Sequence, residues 1–438
     1  MFKKTLVSVA LSLGMVAASA TAQVSDDVIN ASFFPYKDSV PSFEGLQVGM
    51  TINQGNVEQF KDVLDPAMYQ FIAQGDTEIK VGETTSFDLH PSYVEATRKY
   101  TDGVTLGEKV GQISDHQAGR PFPQEPSLDD PRAGEKLAWN YKYGYNWGDS
   151  AVIQPFYWKF RNMKNAKVER TIVMNFNFLN FTRRTSTEPT PEITPNPSNM
   201  FRSIYMKVLE PFDLKNTQLL IHRFQDDTKL DNSYLYLGFQ RRVRRLSSGQ
   251  TTDAFLGSDL MIEDFEGYNG RISDMKWTYK GTKNILLPFF NHNDMPKDEE
   301  AYKDDEGFQM IAYGGKGNCF PEVTYQLRKA YVVEAEPVDE NHPISKRIHY
   351  IDAQTFVLPR NVIYDRKGEM WKSFTIGQSH PDHHLPVNKG TGVSIDDAVT
   401  MIDVQANHCT TAQFKGIVDS SLSPPDTFTV QNLRASGN

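Results

Sequence analysis

The chain is poor in cysteine: Cys319 and Cys409 are the only two in 438 residues. No Cys-x-x-Cys occurs, so thiol exchange has no signature. Gly-x-Ser-x-Gly, His-Glu-x-x-His, the phosphate loop and the dinucleotide fingerprint are also missing, which disfavours a hydrolase or redox enzyme of familiar type. Past the N-terminus no stretch approaches the roughly 18 to 20 apolar residues of a membrane helix, and there is no internal repeat. Net positive charge is lacking too: the formal charge is −9, which argues against nucleic acid and against a bare anionic membrane surface.

The N-terminus carries Met1-Phe2-Lys3-Lys4, an apolar run from Leu6 to Ala18, and Ala20-Thr21-Ala22 before Gln23. These are the regions of a secretory signal in order, predicting Sec export and cleavage after Ala22. With Gln23 at the first mature position, the cysteine needed for a lipid anchor is missing, so the mature chain is expected to be soluble and diffusible in the periplasm. Loss of Lys3 and Lys4 with the signal takes the formal charge to −11. In that oxidising compartment a lone pair of cysteines is most simply a Cys319–Cys409 disulfide, with two free thiols or a redox couple as the alternative.

From Asn56 to about Ala73, Val57, Phe60, Val63, Leu64, Met68, Phe71 and Ile72 recur at helical spacing, although Pro66 should break or kink the helix. A second helix is predicted from Asp130 to about Tyr145, after a proline-rich connector over Gly119–Pro131. From about Lys167 the period drops to two. Met174, Phe176 and Phe178 alternate with Asn175 and Asn177, and a long strand runs through Val323, Tyr325, Leu327, Tyr331, Val333 and Ala335. Further strands are expected at 202–209, 218–224, 233–244, 347–358, 370–376 and 398–405. Thr185–Pro197 and Asn291–Glu306 read as loop insertions.

Among candidate sites, Ser379-His380-Pro381-Asp382-His383-His384 offers metal ligands, but prolines hold it as a surface loop and no matching residue completes a site; no metal and no cofactor is expected. The acid pairs Asp129-Asp130, Asp304-Asp305 and Asp396-Asp397 read as solvated faces or caps, so no catalytic residue is assigned. Arg241, Arg242, Arg244 and Arg245 follow a strand, where they could bind an anionic head group or pair with Asp253, Asp259, Glu263 and Asp264. The strands are rich in aromatics: Phe176, Phe178, Tyr205 and Tyr234, then Tyr236, Phe239, Trp277 and Trp371. In a flat sheet these are core; in a curled sheet they would line an apolar cavity for a lipid-like ligand.

The runs Arg241-Arg242-Val243-Arg244-Arg245-Leu246, Asp253-Ala254-Phe255-Leu256-Gly257-Ser258-Asp259 and Glu263-Asp264-Phe265-Glu266-Gly267-Tyr268-Asn269-Gly270 resemble the proteobacterial domain of unknown function thirteen twenty-nine, often labelled an outer membrane lipoprotein-sorting protein. His342-Pro343, Tyr350-Ile351-Asp352 and Tyr364-Asp365-Arg366-Lys367-Gly368-Glu369-Met370-Trp371-Lys372 match the same pattern. The resemblance implies an α+β, mainly β fold: a large curled antiparallel sheet, a half-open β-barrel like those of LolA and LolB, with helices as lid. It also implies a periplasmic, non-enzymatic carrier of a hydrophobic cargo, working with a transporter of the resistance-nodulation-division type. It makes Arg241–Arg245, Asp259 and Asp264 architectural ion pairs. The chain is about twice the length of those small carriers, so extra elements are expected to fill or cover the cavity.

The organisation expected is a signal at 1–22, a helical and connector region at 23–150 and a β region at 151–438, the last two forming one continuous unit. The alternatives are an envelope hydrolase acting on lipid or polysaccharide, and an assembly or adaptor protein with a filled core.

Overall fold

The computed structural model of the chain describes residues 24–246, 251–299, 304 and 307–437. The export signal lies outside the described residues. Strands dominate, and the main sheet has sixteen. Thirteen form an antiparallel meander: β1 (Ser150–Asn162), β2 (Val168–Asn180), β3 (Met200–Glu210), β4 (Gln218–Phe224), β5 (Asn232–Leu237), β6 (Arg242–Arg245), β7 (Met275–Leu287), β8 (Thr324–Pro337), β9 (Ile344–Asp352), β10 (Arg360–Asp365), β11 (Met370–Ser379), β12 (Ile395–Asp403) and β13 (His408–Ile417). Thr51–Ile52, Ile79–Val81 and Phe289–Phe290 add short pairings.

Each of these strands pairs with its successor except at one point, and β13 returns to pair with β1, Ala412 lying opposite Trp158. The exception is between β6 and β7, which form no ladder with each other. The sheet is therefore curled but half-open, and residues 251–274 lie between its two lips. Bulges, such as the one at Ile153/Phe156 that accommodates Pro155, add the local bend a curled sheet needs.

The single strand expected over 233–244 is broken. Gly238 to Arg241 turn the chain back, with Arg241 at φ 49°, and Gly238 approaches the preceding hairpin so closely that a Cβ would lie 2.5 Å from the Lys215 carbonyl oxygen. The strand expected over 347–358 ends at Asp352 and resumes after a loop as β10. Strands β1, β7 and β13 had no expectation; β7 and the end of β1 are interrupted by charged and polar residues that blur the alternation.

Both faces are covered. On the convex face lie helix α2 (Pro66–Ala73) and the insertion between β7 and β8, while α1 (Asp26–Phe33) and α3 (Pro91–Tyr100) pack on each other and on Ile395 of β12. The helix expected from Asn56 splits at Pro66 into a 3-10 turn over Val57–Val63 and α2, whose N-cap Asp65 accepts from the Ala67 and Met68 amides. Asp65 also receives the buried Arg360 of β10, Nε to Oδ2 at 2.7 Å and Nη2 to Oδ1 at 2.9 Å, so one carboxylate caps the helix and docks it on the sheet. The insertion is held by the disulfide between Cys319 and Cys409 of β13, with Cα atoms 6.1 Å apart. The short C-terminal helix α5 (Val430–Ala435) covers β3–β5 with Leu433, beside Phe428. On the concave face, α4 (Ala133–Lys142) packs Leu137 and Trp139 against β7–β9. No helix among the described residues is long and apolar enough to cross a membrane.

Candidate functional site

The concave face is an apolar floor. Met174, Phe176 and Phe178 of β2, Ile204 and Met206 of β3, Phe374 and Ile376 of β11 and Phe414 of β13 are all buried in one cluster. Period-two alternation places them there, because alternate residues of a strand share a face. Residues 251–274 lie on this floor as a plug. Phe255, Leu260 and Met261 are buried in the same cluster, and Phe265 meets Phe255 at 5.3 Å between ring centroids.

The plug has almost no regular structure of its own, so polar anchors fix it. Arg347 of β9, fully buried, donates from Nη1 to Asp264 Oδ1 at 2.6 Å and from Nη2 to Glu263. Burial raises the Glu263 carboxyl, but Arg347 and His342 outweigh it and hold the group below its ordinary value. Asp259 Oδ2 accepts from Thr410 Oγ1 and meets His408 Nδ1, each at 2.7 Å, and the Asp259 carbonyl accepts from Lys372 Nζ. That hydrogen bond to Asp259 lifts the His408 imidazolium above its usual range. Arg202 of β3 grips Glu266 with two bonds at 2.8 and 3.0 Å. Gly267 has φ +101°, and a Cβ there would meet Leu358 at 2.4 Å, so only glycine fits where the plug turns under the sheet.

Between plug and floor an apolar cavity of about 80 Å³ remains, lined by Phe156, Trp158, Phe176, Phe178, Phe265 and Phe414, with Glu266 and Asp396 as the acids. Burial pushes Asp396 up to about 7, and Gln378 Nε2 donates to its Oδ1 at 2.7 Å. The adjacent Asp397 is skipped in the β11–β12 ladder, and this bulge sends the two acids to different environments. Asp397 joins His292 and His384 on the other side, its Oδ2 2.6 Å from His292 Nδ1 and its Oδ1 3.5 Å from His384 Nε2. Of the pair expected to be solvated, Asp397 is therefore buried and Asp396 half-buried, and His384 of the supposed surface loop is buried as well.

Two imidazoles and a carboxylate are a plausible donor set for a metal. The surroundings argue against one. The Asn388 amide is fixed by donating to the Gly416 carbonyl and accepting the Val418 amide, so its Nδ2 must also donate to His384 Nδ1. His384 then carries its proton on Nε2, aimed at Asp397, and has no lone pair there for a cation. The group joins β12 to the insertion by the His292–Asp397 hydrogen bond and to the 380–388 turn by the 3.5 Å contact of His384 with Asp397.

Of the aromatics singled out in the sequence, Phe176 and Phe178 line the cavity. Tyr205, Tyr234 and Tyr236 face the other side of the sheet, under α5 and Phe428. Trp277 packs in the cluster around α4 and stacks on His349, Trp371 sits at the margin of the concave cluster with its indole N–H donated to Asp403, and Phe239 is exposed on a turn. Arg241, Arg242, Arg244 and Arg245 are exposed, and none meets an acid among the described residues; Arg244 bonds Gln240 and Arg245 bonds Asn232. The expected pairing with Asp259 and Asp264 is thus replaced by Arg347, Lys372, His408 and Thr410. Those partners come from β9, β11 and β13, more than eighty residues away in sequence, and no local pattern could have joined them.

A Pseudomonas aeruginosa relative, Uncharacterized protein PA3922, is 26% identical over 364 residues, covering 80% of this chain and 71% of its own. A solved DUF1329 family protein from Desulfovibrio piger is 16% identical over 69% of this chain and 99% of its own, with a TM-score of 0.47. A Vibrio parahaemolyticus domain described as a candidate outer membrane lipoprotein-sorting protein is 18% identical over 70% of this chain and 100% of its own, with a TM-score of 0.45. The family model for proteins of unknown function DUF1329 matches residues 51–434, and with that span, which includes the plug and its anchors, the chain belongs to the DUF1329 family.

Proposed function

We propose that the protein is a periplasmic carrier that binds a hydrophobic, lipid-like molecule on the concave face, with the plug occupying that face when no cargo is bound. The observation that carries this reading is the gap between β6 and β7: an aromatic-floored half-barrel is closed there by an irregular segment instead of by strands. A cavity of about 80 Å³ is too small for a lipid chain, since ligand pockets run from roughly 300 Å³ upward. Cargo must therefore take the space now filled by Phe255, Leu260, Met261 and Phe265. The expected disulfide-permissive compartment agrees with the Cys319–Cys409 bond. A transporter of the resistance-nodulation-division type remains part of the proposal as the cargo's source or destination.

The small cavity also favours a second reading, an adaptor whose core is permanently filled. An envelope hydrolase is less well supported, because Glu266 is taken up by Arg202, leaving Asp396 as a single acid in an apolar pocket. Hydrogen exchange read by mass spectrometry, with and without a saturating fatty acid, separates carrier from adaptor. The carrier predicts faster exchange across 255–268 when the fatty acid is bound; unchanged protection there favours the filled core.

A further inference from the structure

The β1–β2, β3–β4 and β5–β6 turns lie at one end of the curled sheet, and the last two touch through Gly238 and Lys215. Two of these turns carry aromatic side chains in water: Phe212 is 93% exposed and Phe239 75%. Phenylalanine at such exposure covers no core of its own, and both sit at turn tips, where a side chain projects furthest. Around them, residues 163–170, 210–217 and 238–245 hold eight basic side chains against three acidic ones, in a chain whose formal charge is −9. Lys164, Lys167, Lys215, Arg241, Arg242 and Arg244 are all exposed. The net acidity that argued against an anionic surface is therefore reversed at these three turns.

We propose that these three turns dock on the surface of an anionic phospholipid bilayer, the two phenylalanines entering the head-group boundary while the arginines and lysines meet lipid phosphates. Apolar points flanked by cations are what an interfacial site requires: insertion supplies the hydrophobic part of the affinity and the charges supply attraction that salt weakens. Arginine on the edge strand β6 also guards against edge-to-edge pairing with another chain. That role accounts for Arg242 and Arg244 and leaves Phe212 and Phe239 unexplained. Separate protruding tips suit a fluid interface better than a rigid protein face, which needs a contiguous complementary patch. The surface stands whether or not the concave face carries cargo.

The test is co-sedimentation of the mature chain with phosphatidylcholine vesicles and with vesicles in which phosphatidylglycerol replaces part of the phosphatidylcholine. Binding is expected to the anionic vesicles, falling as salt rises. Phe212→Ser with Phe239→Ser, and separately Arg241→Gln with Arg242→Gln and Arg244→Gln, should each weaken it about tenfold or more. All five side chains are exposed, so the thermal midpoint of each variant should match the parent and serves as the control for folding. A parent chain that stays in the supernatant with both vesicle types overturns the proposal, and so does undiminished binding by both variants; either result leaves the two turns to a protein partner.

Discussion

Asp396 is a half-buried carboxyl on the wall of an apolar cavity, with Gln378 and Trp147 as its donors, and its chemistry is readable in stability. Its folded value, about 7, lies above the ordinary 3.8, so the folded state holds a proton that the unfolded chain gives up as pH rises. Stability from this group is therefore lost between about pH 4 and pH 7, and above that the full cost of burying the ion is present. Asp396→Asn keeps the acceptor for Gln378 and removes the charge. It should raise stability by on the order of 2 kcal/mol at pH 8 and leave it nearly unchanged at pH 4. Urea unfolding at the two pH values checks this, and an equal effect at both would show that Asp396 is already solvated.

The plug is the element on which the fold and the proposed function meet, and Arg347 is its main anchor. Arg347→Ala strands Asp264 in the interior without its cation and leaves Glu263 with His342 alone. Loss of one partner from a buried ion pair costs about 3–5 kcal/mol. Calorimetry should show that loss, and a solvatochromic apolar dye should bind the variant more strongly than the parent, because the floor under the plug is uncovered. Dye binding equal to the parent's would mean that the plug stays seated without its arginine.

In the sequence this element stood out only as the runs Asp253–Asp259 and Glu263–Gly270 that carry the family resemblance, and the floor was visible as the alternation of Met174, Phe176 and Phe178. Its partners were not. Arg347 lies in β9 and Arg202 in β3, and the contacts exist only once the sheet has curled. Periodicity also fails to say which face of a strand becomes concave, which is why Tyr205, Tyr234 and Tyr236 read as equivalent to Phe178 and lie on the opposite side. The turn at Gly238–Arg241 was hidden because Leu235, Leu237, Phe239 and Val243 keep a spacing of two across it.

At the scale of the whole molecule, the meander closes on itself at β13 and β1, where Cys409 and the insertion tie the ends together, and it stays open at the β6–β7 gap. A rigid seam opposite an irregular plug is the arrangement a container needs if it is to open on one side only. The described part of the insertion and α2 cover the convex face, and the plug, α4 and connector residues such as Phe122 occupy the concave side. The most direct test is mass spectrometry of the organic extract from the protein purified out of the periplasm, with the Phe176→Asp variant as the comparison. The account predicts a recurring lipid-like molecule bound to the parent and lost from the variant. An extract without any hydrophobic compound, together with no binding of a fluorescent fatty acid, would contradict it.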